Sequence, residues 1–237
     1  MSGRYGESFV DLGEYVGHDW QEFMHYLYLP VRLPTSETGL SIGTELLLPE
    51  RLAFLWDAIQ GAWYDSGHLD GYEHLRDPYI YVTARRGFAT PGNPLNRPGW
   101  HCDDFGGTDL NYIWTDVYPT QFLISKDPLE IEDDDQASMN TMERYANLAR
   151  YPLGLDMPMH LKEGPANHLL RLTPWVIHNT PEIPRPGGMR SFFKISVSSH
   201  RYNLLGNSHN YLLNYDWEMH DRQAVRNQPG GNSDYVK

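Results

Sequence analysis

The chain carries two histidines and a carboxylate that only a fold doubling back on itself can unite. Residues 99 to 107 read Gly-Trp-His-Cys-Asp-Asp-Phe-Gly-Gly; far downstream comes Trp175-Val176-Ile177-His178-Asn179-Thr180, and then Arg190. In an extended strand, side chains two apart point the same way, so His101 and Asp103 reach one side together while Cys102 faces the other. The stretch from Asp103 to His178 has room for several strands and a long loop. Pro181, Pro184, Pro186, Gly187 and Gly188 then reverse the chain into Met189 to Ser199, a β-prone run with Phe192, Phe193, Ile195 and Val197. Two imidazoles and a carboxylate on one face of an octahedron, with the other face open, form the ligand set of a non-heme iron site. An arginine beside it can grip a carboxylate through two parallel hydrogen bonds.

Each residue also has a plainer reading. With 11 histidines and 31 acidic residues, a His-x-Asp triplet arises by chance, so order, spacing and the trailing arginine carry the assignment. A lone histidine on an apolar stretch, as His178 is, more often belongs to the core. Asp104 points away from His101 by strand alternation and reads as a solvated or capping carboxylate. His160, His168, His200 and His209 lack the turn and arginine that follow His178. Cys102, the single cysteine, excludes an intramolecular disulfide and reads as a small buried filler.

The order His-x-Asp, distal His, then Arg resembles the iron(II) and 2-oxoglutarate-dependent dioxygenase superfamily over about residues 79 to 200. That resemblance implies a mostly β fold with flanking helices and a double-stranded β-helix (jelly-roll) core. It implies iron(II) held by His101, Asp103 and His178, and 2-oxoglutarate held through its far carboxylate by Arg190. Lys194, on the same strand face, is the second choice for that anchor, and Asn111 or Thr120 are candidates for a further co-substrate contact. The family often has Ser or Thr two residues after the arginine; here Phe192 stands there. The implied activity consumes O2 and hydroxylates a substrate, a small molecule or a modified base, while releasing succinate and CO2. Two alternatives stay open: a cupin-like metal dioxygenase without 2-oxoglutarate, and a non-catalytic jelly-roll binding protein.

The length, 237 residues with 40% hydrophobic content, suits one domain with one substantial core. Residues 1–76 read as helical and irregular support, 77–200 as the core with an insertion at 126–165 that is a candidate lid, and 201–237 as a polar tail, mobile from Asn227. Helices are expected around Asp19 to Tyr26, over Pro49 to Tyr64, where Leu52, Leu55, Trp56 and Ile59 recur at helical spacing, and over Ser138 to Arg150. Strands are expected at Tyr79 to Ala84, Asn111 to Asp116, Thr120 to Ser125, Leu169 to Thr173 and Trp175 to His178. The acidic run from Glu130 to Asp135 reads as a solvated loop. Trp100, Phe105, Trp114 and Trp175 could stack a planar ring, though core is the commoner role. Arg85, Arg86 and Arg97 suit an acidic substrate or a soluble loop. No apolar run crosses a bilayer and no signal peptide is visible, so a cytoplasmic protein without a membrane partner is expected. The net charge of −12 opposes extended nucleic acid binding.

Overall fold

Runs of alternating or continuous apolar residues become nine strands in the computed structural model, which describes residues 4–15, 20–39, 45–132, 134–151 and 158–221. In chain order these are β1 (Val10–Glu14), β2 (Met24–Arg32), the short helix α1 (Thr35–Thr38), and a 3-10 segment (Glu50–Leu55) running into α2 (Trp56–Gly67). They continue with β3 (Tyr79–Ala89), β4 (Leu110–Thr115), β5 (Gln121–Ser125), α3 (Asp135–Arg150), β6 (Met159–Glu163), β7 (His168–Leu172), β8 (Ile177–Asn179) and β9 (Gly188–Ser198). The strands form two antiparallel sheets, one ordered β1-β7-β4-β9-β3-β2 and the other β6-β5-β8. Beyond β8 the smaller sheet is extended by a single antiparallel bridge between His178 and His101.

The period-two alternation of strand side chains explains the layers. One face of the large sheet carries Ile80, Val82, Ala84, Tyr112, Trp114, Phe193 and Ile195, which pack under Leu52, Leu55, Ala58, Ile59 and Ala62 of the 3-10 segment and α2. The other face carries Ile113, Leu170, Leu172 and Phe192, which meet Phe122 and Ile124 of β5. The small sheet turns Leu123 and Ile177 outward, where Met142 and Ala146 of α3 cover them. Strand β9, covered on both faces, is buried from Arg190 to Ser198, with Phe192, Phe193, Ile195 and Val197 packing in the core while Arg190 and Lys194 line the cavity.

Several expectations shift. The helix expected around Asp19 to Tyr26 gives way from Met24 on to a strand, Met24–Arg32, because this stretch pairs with β3 from Met24 opposite Arg86 to Arg32 opposite Ile80; Asp19 lies outside the described residues. Residues 1–76 do more than support the core: β1 and β2 form both edges of the large sheet. Strand β3 runs on past Arg85 to Ala89, since β9 continues to pair with it down to Gly188. The Pro49–Tyr64 helix is split into a 3-10 start and an α-helical remainder that extends to Gly67. Helix α3 begins three residues before Ser138 because Asp134 caps it, its carboxylate accepting from the Ala137 N–H at 2.8 Å.

The 126–165 segment contains β6, a strand of the small sheet, and α3 lies on that sheet's outer face, so the described part of the segment is not a lid. Nor is the tail simply polar: Tyr202 stacks on Tyr81 at 4.2 Å, and Leu213, Tyr215 and Trp217 pack with Leu33, Tyr79 and Tyr81. Residues 152–157 and 227–237 lie outside the described residues. Among the described residues, no helix is long and apolar enough to cross a membrane.

Candidate metal centre

His101 and His178 are direct neighbours across the bridge, each accepting the other's backbone N–H, at 3.0 and 2.9 Å. Facing residues of an antiparallel pair project to the same side, and here the two imidazole rings are 4.5 Å apart. Asp103 joins them from a turn and not from a regular strand, because only His101 makes the bridge before the chain bends. The alternation still holds: Cys102 points the other way, into the cluster with Trp100, Leu123 and Met142. One ligating atom from each of His101, Asp103 and His178 lies within 4.8 Å of the other two.

The turn is held by Asp104, which has a positive φ of 51° and whose carboxylate accepts from the Asp109 N–H at 2.9 Å. A Cβ on Gly107 would fall 1.9 Å from that carboxylate, so a side chain there would push Asp104 out of its place. Gly106, just before Gly107, takes a positive φ of 72°, which favours glycine, and the bond from Asp109 gives Asp104 the capping role expected of it.

Both histidines are prepared as neutral ligands. His101 Nδ1 lies 2.7 Å from the Gly99 carbonyl and His178 Nδ1 lies 3.1 Å from the Val176 carbonyl. A carbonyl only accepts, so each Nδ1 carries the proton and each Nε2 keeps its lone pair. Burial, reinforced by the neighbouring His178, pushes His101 down to about 3; burial also lowers His178. Burial alone would raise the Asp103 carboxyl, but the Lys194 ammonium and the two imidazoles outweigh it and hold it far below the usual carboxylate range. Lys194 donates to Asp103 Oδ1 at 3.0 Å and to the Tyr28 hydroxyl at 3.2 Å, while Asp103 Oδ2 faces His178 Nε2 at 3.7 Å.

The three residues line a cavity of about 460 Å³ between the sheets, within the usual size range of a small-molecule site. Arg190 lines it too, on the same face of β9 as Lys194. Its Nε donates to the Tyr118 carbonyl at 3.2 Å, and its Nη1 donates to the Pro94 carbonyl at 3.1 Å and to Asn96 Oδ1 at 2.5 Å. Among the described residues it meets no carboxylate. Burial lowers its guanidinium to about 10, Asp116 partly offsets this, and nearby Arg85 adds to the lowering.

Thr120 lines the cavity just before β5. Asn111 does not: its side-chain oxygen accepts from Ser196 Oγ at 2.6 Å, further along the inner face. His168 bonds Asp11 on the sheet edge, and His200 pairs loosely with Asp109, so neither approaches the cluster. Of the four aromatics considered for a stacking wall, only Phe105 lines the cavity, where it also stacks on Tyr5; Trp100 and Trp175 pack beneath α3, and Trp114 stacks on Phe193 under α2. Sequence reasoning missed His25, Tyr28 and Asn96 as cavity residues. His25 fell within the helix expected around Asp19 to Tyr26, and Tyr28 lay in the irregular run leading to Pro30; Asn96 follows Leu95, which has a positive φ of 72°.

Comparison with models of protein families returns no match, and neither does comparison with curated proteins.

Proposed function

We propose that the protein is an iron(II) oxygenase that uses 2-oxoglutarate as co-substrate. One observation carries this reading: His101, Asp103 and His178 converge to within 4.8 Å, with Arg190 on the facing wall of the same cavity. The path of the chain supports the jelly-roll form of the fold. It visits the large sheet at β3, the small one at His101, the large at β4, the small at β5 and β6, the large at β7, the small at β8 and the large at β9.

The residues fit a divalent ion. Two imidazoles present Nε2 lone pairs, and the carboxylate is ionised with Oδ1 taken by Lys194 and Oδ2 left for a metal. A site in this state binds a metal without first shedding protons. The metal and keto acid, when bound, supply O2-driven oxidative decarboxylation to succinate and CO2 coupled to hydroxylation of a C–H bond.

The protein's own residues bind and orient. Arg190 is the anchor for the far carboxylate, because Lys194 is already committed to Asp103 whereas Arg190 meets only carbonyl and amide oxygens. Those three bonds fix the guanidinium and leave its Nη2 group for an anion, so the keto acid meets a donor that needs no reorientation. Lys194 holds Asp103 in place and balances its charge. Ile113 and Phe192 give this part of the cavity an apolar lining, which strengthens the charge-assisted bonds around it. Thr120 is placed to offer the co-substrate a hydroxyl, and Asn111 is not.

An anaerobic iron(II) titration with and without 2-oxoglutarate tests the reading. A visible charge-transfer band requiring both components, followed by succinate formation on admitting O2, is the expected result. Absence of stoichiometric iron or cobalt uptake overturns the metal site. Uptake without keto acid binding or succinate leaves a metal enzyme whose substrate chelates directly.

A further inference from the structure

Among the described residues, four of the six arginines that are buried or partly buried meet a carboxylate: Arg32 with Asp77, Arg86 with Asp116, Arg171 with Asp65 and Arg201 with Glu37. Two do not, Arg85 and Arg190, and both line the cavity. Arg190 has a role in the proposed reaction; Arg85 has none. Its one hydrogen bond is from Nη1 to the Leu95 carbonyl, a neutral partner. Partly buried, with one of its five N–H donors on a neutral carbonyl, the Arg85 guanidinium keeps donors and an unbalanced charge for an anionic ligand in the cavity.

The register places Arg85 usefully. On the inner face of the large sheet, Lys194 sits opposite Thr83, Phe192 opposite Arg85, and Arg190 opposite Gly87. Facing residues share a side, so Arg85 stands one strand over, at a level between the lysine that holds Asp103 and the arginine that anchors the keto acid. His25 of β2 is paired with Arg85 on the far side and also lines the cavity, as does Arg97 from the loop before His101. The cavity thus gathers Arg85, Arg97, Arg190 and Lys194 against Asp103 and Asp104, in a chain whose net charge is −12. A metal ion and a dianionic keto acid would cancel one another and leave that excess in place.

We infer that the substrate to be oxidised is an anion, a carboxylate or a phosphate ester, whose oxyanion is held by Arg85 with Arg97 at its flank, alongside the keto acid and not in its place. This rests on the reading of Arg190 as the keto acid anchor. Arg97 is exposed and supplies steering more than geometry.

The test titrates inorganic phosphate, and separately acetate, into the full chain loaded with zinc and saturating 2-oxoglutarate, following heat release. Wild type, Arg85→Gln and Arg85→Lys are compared, and a thermal melt of each verifies folding. The expected result is one oxyanion bound per chain without displacing 2-oxoglutarate, weakened about tenfold or more in Arg85→Gln and partly restored in Arg85→Lys. The tighter of the two probes identifies phosphate or carboxylate as the native group. Oxyanion binding that depends on Arg85 while 2-oxoglutarate fails to bind at all would sustain the anion site and overturn the proposed co-substrate. Binding only in competition with 2-oxoglutarate, binding unchanged in Arg85→Gln, or no binding of either probe would overturn the inference.

Discussion

On the small-sheet wall of the cavity sit His101, Asp103 and His178, a group that could hold a metal ion; on the large-sheet wall sit the cationic side chains of Lys194, Arg190 and Arg85. The two sets are held differently. The donors for a metal are fixed by local backbone: two histidines locked in one bridge, each with Nδ1 tied to a carbonyl two residues back, and a carboxylate on a glycine-closed turn. The cations are spaced by register along two of the longest strands: Arg190 and Lys194 are four residues apart on β9, and Arg85 on β3 stands opposite Phe192 between them. The Lys194–Asp103 ion pair ties these two sets of side chains together. A metal site needs donor atoms within one coordination sphere, which local geometry guarantees. An anion site must span a whole substrate, which strand register provides.

The largest effect expected is on the metal wall. His178→Ala and Asp103→Ala should each weaken iron(II) or cobalt(II) binding by well over about 100-fold, since loss of a ligand exceeds the roughly 10- to 100-fold cost of losing a second-layer partner. Equilibrium dialysis with metal analysis reads this, and unchanged uptake would dissolve the contrast between the walls. Next comes the tie between them. Lys194→Met leaves Asp103 buried without its cation, so the metal-free protein should lose about 3 kcal/mol or more; a divalent ion should restore much of this, giving a larger metal-induced rise in melting temperature than in wild type. An equal rise in both proteins would show that the lysine does not balance Asp103.

On the anion wall, Arg190→Ala should raise the 2-oxoglutarate dissociation constant roughly 10- to 100-fold, as expected for charge-assisted hydrogen bonds, while leaving metal affinity within about twofold. Co-substrate titration of the metal-loaded protein tests it, and a parallel loss of metal would mean the walls are not separable. The smallest effect lies outside the cavity. Burial raises the Asp77 carboxyl, but hydrogen bonds from Thr35 and Arg32 outweigh it and hold it below its ordinary 3.8. A depressed carboxyl contributes stability above its unfolded value and loses it as pH falls through its folded value. The wild-type denaturation midpoint should therefore drop more steeply than that of Asp77→Asn below about pH 4. Identical acid limbs would remove Asp77 from that account.

Where periodicity was strong and the partner lay within the same sheet, the sequence was readable. The runs at 110–115, 121–125 and 188–198 alternate or stay apolar as strands do, and they are strands. The segment around Trp20 to Tyr26 misled because its aromatics recur at a spacing that also suits a helix; pairing with β3 decides it, and no local signal records that pairing. The tail misled for the opposite reason. Its asparagines and glycines read as solvent-exposed, yet Tyr202, Tyr215 and Trp217 are anchors for a surface that exists only once Tyr79 and Tyr81 lie side by side on β3. For the candidate site, residue types and two-residue alternation singled out His101, Asp103 and His178, while Asn111 and Thr120 were indistinguishable until Ser196 claimed one and the cavity took the other.

The sequence by itself determined which side chains could meet, because alternation along a strand is a property of the backbone and acts over two residues. It also marked where the chain can turn, through glycines such as Gly106, whose positive φ of 72° side chains rarely adopt. Only the tertiary structure decided which arginine goes without a carboxylate, which lysine is already engaged, and that a chain of net negative charge encloses a positively charged cavity. Those are sums over neighbours brought together from distant strands, and register between strands is written in no single segment.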